Sequence, residues 1–339
     1  VKTATPPPDP ELLTPLDNAE VKARVLALAE PADRALRANL SSHVPFIEKV
    51  SGYILFSGGK RLRPVLFLLA AKALGVEADP RYSAIFEYLH AATLLHDDVV
   101  DEAGLRRGRP AARVEYGNDA VILVGDFLFS KSYSLAAELP DHRFVSALTD
   151  CTTIMAEGQV LELLATDRLD LDYAGYLDVI RAKTAVLLAA ACQMGAIYAG
   201  ADKQVVDIFY QYGLELGLAF QMVDDALDYV GSEHEFGKPV GHDLKEGKIT
   251  LPFLHARDHA PEPVGARLLE LARRGRGQPE VLEEAKAIVR DQGGVEATFA
   301  RARAHAVAAQ QALAGLADRA GADLDLMLGL AAYVITRRN

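Results

Sequence analysis

TLLHDDVVDEAGLRRG, residues 93–108, and FQMVDDALDYVG, residues 220–231, share one pattern: an apolar run that ends in Asp-Asp-x-x-Asp. Within each run the apolar residues recur at spacings of three and four, the period of an α-helix. Asp97 and Asp101 stand four residues apart, as do Asp224 and Asp228, so each pair points the same way from its helix. Like charges at that spacing repel, and acids near a helix C-terminus also oppose its dipole. One such pattern reads as a solvated charged face. Two of them, flanked by AATLL and LAFQMV, read as carboxylates on largely buried helices, and these need a cation or hydrogen-bond donors. Hard oxygens with no cysteine among them select Mg²⁺ over zinc, and Mg²⁺ completes its shell with water and phosphate oxygens.

Outward from these motifs the helical period continues from about Ala19 to the end, and strict alternation of strand length is hard to find. The expected fold class is all-α. Breaks fall at SGGK (57–60), GVEADP (75–80), GLRRGRP (104–110), residues 231–248 and RRGRGQPE (273–280), each with turn chemistry. The apolar pattern resumes promptly after each break, which predicts one helical domain over 19–339 behind a mobile Pro-rich tail, residues 1–18.

Cationic clusters accompany the acids. GGKRLRP (58–64) sets Lys60, Arg61 and Arg63 beside Pro64, a residue suited to a helix's first turn, so cations and backbone N–H groups are expected to meet an anion together. It is not a nucleotide-binding GxxxxGK[ST] loop, because residue 54 is Ile and Arg61 follows Lys60. Arg106 and Arg107 follow the first acidic pair and read as a phosphate clamp. His90 lies on the same helix face as Asp97 and can donate to an anion, whereas His96 points elsewhere and reads as structural. Two metal-binding acid pairs and two cationic clusters in an apolar helical chain imply a substrate with a diphosphate head and an apolar tail.

The 339 residues are 50% hydrophobic and 24% charged, with a formal charge of −11. That composition fits a globular core and disfavours a protein whose business is neutralising nucleic-acid phosphates. Cys151 and Cys192, far apart in apolar stretches, read as buried thiols in a reducing compartment. The longest apolar stretch, Val186–Ala201, falls short of the roughly 18 to 20 uninterrupted residues of a spanning helix, so at most peripheral membrane association is expected. No secretory signal is recognisable at the start.

Taken in order, GGKRLRP, LLHDDVVDEAGLRRGRPA, VGDFLF (124–129), AEGQ (156–159), KTA (183–185), FQMVDDALDY and GKPVGHDLKEGKITLP (237–252) closely resemble the trans-isoprenyl diphosphate synthases, over about Ala19 to the C-terminus. The resemblance implies the isoprenoid synthase fold, antiparallel helices around a central cavity, usually a cytoplasmic homodimer. It implies that Asp97, Asp101 and Asp224 bind about three Mg²⁺ ions together with the diphosphate, with Asp228 and Asp98 as supporting acids. Arg106, Lys183 and Lys238 would grip the allylic diphosphate; Lys60, Arg63, His90 and Arg107 would hold isopentenyl diphosphate. Thr184 and Gln221 would lie beside the reacting carbons. Ionisation of the allylic C–O bond, attack by the double bond of isopentenyl diphosphate and loss of a proton to diphosphate complete the implied reaction. Dipoles of Lys183, Thr184 and Gln221 would steady the cation.

In this family a bulky aromatic four or five positions before the first motif stops chain growth early. Here Thr93 and Ala92 occupy those positions, and Leu89, Ile85 and Phe86 lie farther down the same helix, so the resemblance points to long products of octaprenyl type, such as quinone side chains. Phe144, Leu148, Thr149 and Ile154 are candidates for the tunnel floor. His242 departs from the acid that many relatives carry there, and the terminal ITRRN stays unassigned. The alternatives are a short-chain farnesyl or geranylgeranyl synthase, which a large side chain beside Ala92 would favour, and a non-catalytic partner subunit or a terpene cyclase, neither of which calls for both acid motifs and a full second cationic site.

Overall fold

In chain order the helices are α1 (Asn18–Asn39), α2 (Pro45–Leu55), α3 (Leu62–Ala73), α4 (Pro80–Val100), α5 (Ala112–Tyr116), α6 (Asn118–Ala136), α7 (His142–Ala165) and α8 (Tyr173–Ile180). A π-helical turn, Arg181–Ala185, joins α8 to α9 (Val186–Tyr198). There follow α10 (Lys203–Val230), α11 (His242–Glu246), α12 (Leu251–His259), α13 (Glu262–Arg274), α14 (Pro279–Asp291), α15 (Gly294–Leu313) and α16 (Asp323–Thr336). This computed structural model describes residues 11–230, 241–274, 278–316 and 323–336.

Local sequence explains many of these boundaries. Asp17, Asp79, Asp141 and Asp172 each stand just before a helix and accept a backbone N–H of its first turn, satisfying a group that has no partner within the helix. The expected all-α architecture holds. Among the described residues one departure appears within GLRRGRP: β1 (Leu105–Arg106) pairs with β2 (Arg109–Pro110) across Arg107 and Gly108. Both turn residues have positive φ, 53° and 74°, the requirement of a tight type I′ hairpin.

The helices α3 and α9 are apolar nearly all round and lie in the core. Each large side chain there, such as Phe67 or Leu187, contributes about 1.5–3 kcal/mol through burial. The long α10 packs most extensively against α9 and α15, while α4 packs against α6. Near the start of α4, Phe67, Phe86 and Phe144 meet, with Phe67 ring centroids 5.6 Å from Phe86, 6.1 Å from Phe144 and 5.7 Å from Tyr198. Such tilted and edge-on aromatic contacts make a dense, unyielding plug.

Three further expectations meet the structure here. Both cysteines are free and buried. The helix through Tyr173–Tyr198 proves long and apolar enough to cross a membrane by length and composition, contrary to the shorter reading of that stretch, yet it is mostly buried within the fold. Part of the stretch read as a tail is anchored: buried Gln310 accepts from the Leu13 backbone N–H and donates to its carbonyl oxygen. Residues 1–10 lie outside the described residues.

Candidate active site

The π turn holds the two acidic motifs together. One of its residues, Lys183, reaches the first: its Nζ is 3.5 Å from Asp97 Oδ2 and pairs closely with Glu162 of α7. The next residue, Thr184, reaches the second: its hydroxyl donates to Gln221 Oε1 at 2.9 Å, one turn before Asp225. The turn carries a Val186 N–H to Arg181 C=O bond, which absorbs an extra residue and is common at functional sites. Neighbouring helices approach it through glycine. A Cβ on Gly158 would lie 2.7 Å from Ala182 Cβ, and one on Gly217 would lie 2.5 Å from Ala185 Cα. AEGQ therefore owes its glycine to this close approach.

Lys248 reaches the same place from the segment after α11. Its Nζ lies 2.7 Å from Glu246, 3.7 Å from Asp101 and 3.9 Å from Glu162. Glu162 thus stands between two lysines, one at each carboxylate oxygen. Burial alone would lower Lys248, but Glu162, Glu246 and Asp101 hold its ammonium above its ordinary value. Glu246, against the effect of its own burial, is drawn down to about 2 by His242 and Lys248. Burial raises Asp97, reinforced by Glu162 and Asp101 and opposed by Lys183 and Lys248.

The remaining acids divide sharply. Asp98 is fully buried and takes Arg106 Nε at 2.9 Å on Oδ1, while its Oδ2 is buried without a hydrogen-bond partner. Asp224 is exposed. Asp225 is buried, accepts from Tyr176 OH at 2.6 Å and from Gln221 Nε2 at 2.8 Å, and is pushed up to about 7 by burial against those two donors. Asp228 spends both oxygens on the backbone N–H groups of Gly241, His242 and Asp243 at 3.0–3.2 Å, which fixes the start of α11. Of the expected claw of Asp224 and Asp228, Asp224 is exposed and Asp228 caps a short helix. Asp243, half-buried, is raised well above the usual carboxylate range by desolvation and by Asp228 and Asp225.

The second cationic cluster also assembles, with one exchange. Arg107, at the hairpin tip, donates 3.1 Å to Ser57 Oγ and closely to Gly58 O, and its guanidinium passes 3.7 Å from where a Gly59 Cβ would be. His90, desolvated and beset by Arg63, Arg107 and Arg106, is held well below its ordinary value and is neutral at pH 7. Arg63 is lowered by burial and by Arg107, and its Nε is buried without a hydrogen-bond partner. Lys60 is exposed. Arg61 turns inward instead: it has φ 51° and bonds to Asp33, Glu87 and Leu55 O at 2.7–2.9 Å, so it braces α1 and α4 and is withdrawn from the anion-facing set. His96 stacks on Phe129 and faces Ile122 O at 3.2 Å, the structural role expected of it. Lys238 lies outside the described residues.

A cavity of about 190 Å³ opens among α7, α8, the π turn, α10 and the segment after α11; Tyr176, Lys183, Thr184, Gln221, Asp225 and Lys248 line it. An adjoining space of about 330 Å³ extends past Asp101, Gln159 and Glu246. Neither reaches Leu89, Ala92 or Thr93; Leu89 and Ala92 are fully buried, and half-buried Thr93 donates to His90 O at 2.9 Å. Thr149 is exposed with its hydroxyl on Ser146 O, which removes it as a floor candidate, while Phe144 and Leu148 are fully buried.

Among the described residues no three His, Cys, Asp or Glu side chains form a ready-made cation site. The donor chemistry nonetheless fits a hard divalent ion: Asp97, Asp101 and Glu162 are carboxylates gathered at one mouth, partly desolvated, with ammonium groups against them. Glu162 and Lys248 escaped the sequence reading. Both fall in or beside quoted motifs, and only their position relative to the π turn reveals them.

Residues 44–289 match the model of a family described as Polyprenyl synthetase. The chain is 40% identical to an octaprenyl diphosphate synthase of Haemophilus influenzae over 84% of its own length and 88% of the relative's. It is 36% identical to a short chain isoprenyl diphosphate synthase of Methanothermobacter thermautotrophicus, over 84% and 89%. The solved polyprenyl synthase of Caulobacter crescentus, complexed with calcium and isoprenyl diphosphate, superposes with a TM-score of 0.87 at 37% identity, covering 95% of this chain and 98% of that one. The chain belongs to the polyprenyl synthetase family. This polyprenyl synthetase has the isoprenoid synthase fold and is a trans-prenyltransferase.

Proposed function

We propose that this enzyme condenses isopentenyl diphosphate with an allylic diphosphate, head to tail and with Mg²⁺, to give a long all-trans polyprenyl diphosphate of octaprenyl type. The observation that carries the site reading is the π turn, whose consecutive residues Lys183 and Thr184 engage the two acidic motifs. In this reading Asp97, Asp101 and Asp224 hold Mg²⁺, which when bound draws charge from the leaving diphosphate. Lys183, Lys248 and Arg106 grip the allylic diphosphate, with Lys238 completing the set. Lys60, Arg63, Arg107 and neutral His90 hold isopentenyl diphosphate; the buried, unpartnered Nε of Arg63 supports an anion there. The oxygens of Thr184 and Gln221 face the allylic carbons, and the apolar walls exclude the water that would quench a carbocation.

Long products are supported by the small residues Ala92 and Thr93 on α4 and by the octaprenyl relative. A homodimer is supported by the exposed apolar side chains Ile122 and Leu123 on α6 and Val160, Leu161 and Leu164 on α7. We place the enzyme in the cytoplasm, with at most a peripheral hold on membrane through its apolar product.

The test is incubation with Mg²⁺, labelled isopentenyl diphosphate and, separately, geranyl, farnesyl and geranylgeranyl diphosphate, followed by sizing of the dephosphorylated products. About forty carbons are expected. Accumulation at fifteen or twenty carbons would establish the short-chain alternative, and no product from any starter would overturn the reading.

A further inference from the structure

We propose that Tyr176 and Asp225 are positioning residues that dictate which atoms Gln221 and Thr184 turn toward the reacting carbons, an inference that rests on the prenyl-transfer reading above. All four side chains line the 190 Å³ cavity, and they form one unbranched chain of hydrogen bonds. Tyr176 OH donates to Asp225 Oδ2 at 2.6 Å, Gln221 Nε2 donates to Asp225 Oδ1 at 2.8 Å, and Thr184 Oγ1 donates to Gln221 Oε1 at 2.9 Å.

The direction of this chain follows from its far end. In either protonation state Asp225 Oδ1 is an acceptor, because a proton on this carboxyl group would sit on Oδ2 against the Tyr176 oxygen, so Oδ1 demands a donor from Gln221. That demand turns the Gln221 amide nitrogen to Asp225 and its oxygen to Thr184. The Thr184 proton is then committed to Gln221, and the hydroxyl's lone pairs are left for the cavity. The negative ends of two dipoles are thereby aimed at one place without any nucleophilic side chain, the arrangement that stabilises developing positive charge. An unanchored amide has no such preference, since its two ends are nearly the same shape.

Tyr176 is what keeps Asp225 in this pose. Asp225 is 3% exposed and Tyr176 2%, so the phenol, not bulk water, is the donor that holds Oδ2. Without that hydroxyl, Oδ2 is a buried acceptor with no partner, and the carboxyl group satisfies itself only by turning, which releases Gln221. Among the described residues, the hydroxyl of Tyr176 bonds to Asp225 and not to the lysines or arginines assigned to the two diphosphates, so substrate binding should be left intact while the chemical step suffers.

The experiment uses the full-length enzyme with Mg²⁺, isopentenyl diphosphate and farnesyl diphosphate, and compares wild type, Tyr176→Phe, Thr184→Ala, their double variant and Asp225→Leu. Tyr176→Phe should lower kcat about tenfold and leave both KM values within about twofold. Added to Thr184→Ala it should cost less than about a further twofold, because both changes remove one device. Asp225→Leu, which removes both acceptor oxygens, should lower kcat at least as much as Tyr176→Phe, with helical circular dichroism unchanged; it carries the test should Tyr176→Phe fail to fold. Unchanged kcat in either variant, a rise in KM alone, or full additivity in an otherwise active enzyme would overturn this inference alone. Absence of prenyl transfer by wild type would overturn the underlying reading and the inference with it.

Discussion

The two Asp-Asp-x-x-Asp motifs have the same spacing and opposite surroundings. In the first, each acid answers to a cation: Asp97 to Lys183, Asp98 to Arg106 and Asp101 to Lys248. In the second, buried Asp225 and half-buried Asp228 answer to neutral donors, Asp225 to a phenol and an amide, and Asp228 to three backbone N–H groups. Spacing places carboxylates on a helix face, but partners decide what they do. The first motif is a set of carboxylates held by cations, and the proposed function has its lysines exchange carboxylate for phosphate. The second is more nearly a scaffold, with Asp224 as its exposed member.

The contrast can be broken most decisively at Asp97. Asp97→Ala is expected to lower kcat/KM by about 10³-fold, corresponding to several kcal/mol of lost metal-assisted stabilisation, with little change in thermal melting. Steady-state assays beside a melting curve check both halves. Next in size, Arg106→Leu leaves buried Asp98 without its cation and should destabilise the fold by about 3 kcal/mol in urea unfolding, with partial recovery on adding Asp98→Asn. Asp228→Ala removes a helix cap and should cost about 1–2 kcal/mol, with an activity loss far below that of Asp97→Ala. Equal activity losses with unchanged stability would mean the two motifs are equivalent claws after all.

The smallest effect concerns pH. His90 is held well below its ordinary value in the folded protein, mainly by burial and then by Arg63 and Arg107. Below its unfolded value, near 6.5, the unfolded chain therefore binds a proton that the folded chain refuses, and stability falls as pH falls. Urea midpoints should decline between pH 7 and 5.5 in wild type, and less steeply in His90→Gln. Parallel declines would show that His90 takes no part.

Much of this was legible in sequence because helical period and motif order are local properties. The helices, the buried thiols and the structural role of His96 follow from pattern, whereas the grouping of His90 with Arg63 and Arg107 comes with the family resemblance. What escaped depends on tertiary partners. Nothing local distinguishes Arg61, which turns inward to Asp33 and Glu87, from Arg63 two residues on. Asp228 looks like Asp101 until the backbone of 241–243 closes over it. Glu162 is one polar residue on a helix until two lysines arrive from elsewhere in the chain. The π turn is invisible for another reason: one absorbed residue changes hydrogen bonding without changing composition.

That absorbed residue alters helical phase. Tyr176 and Thr184 are eight residues apart, and on an uninterrupted α-helix at 100° per residue they would face directions about 80° apart. Absorbing one residue between them reduces the offset to about 20°, which lets both line the same cavity. The alignment of these two hydroxyls is thus a property of counting rather than of either side chain. Deleting Ala182 would leave Lys183, Thr184 and every other functional side chain in the protein and still rotate α8 out of step with the cavity it faces.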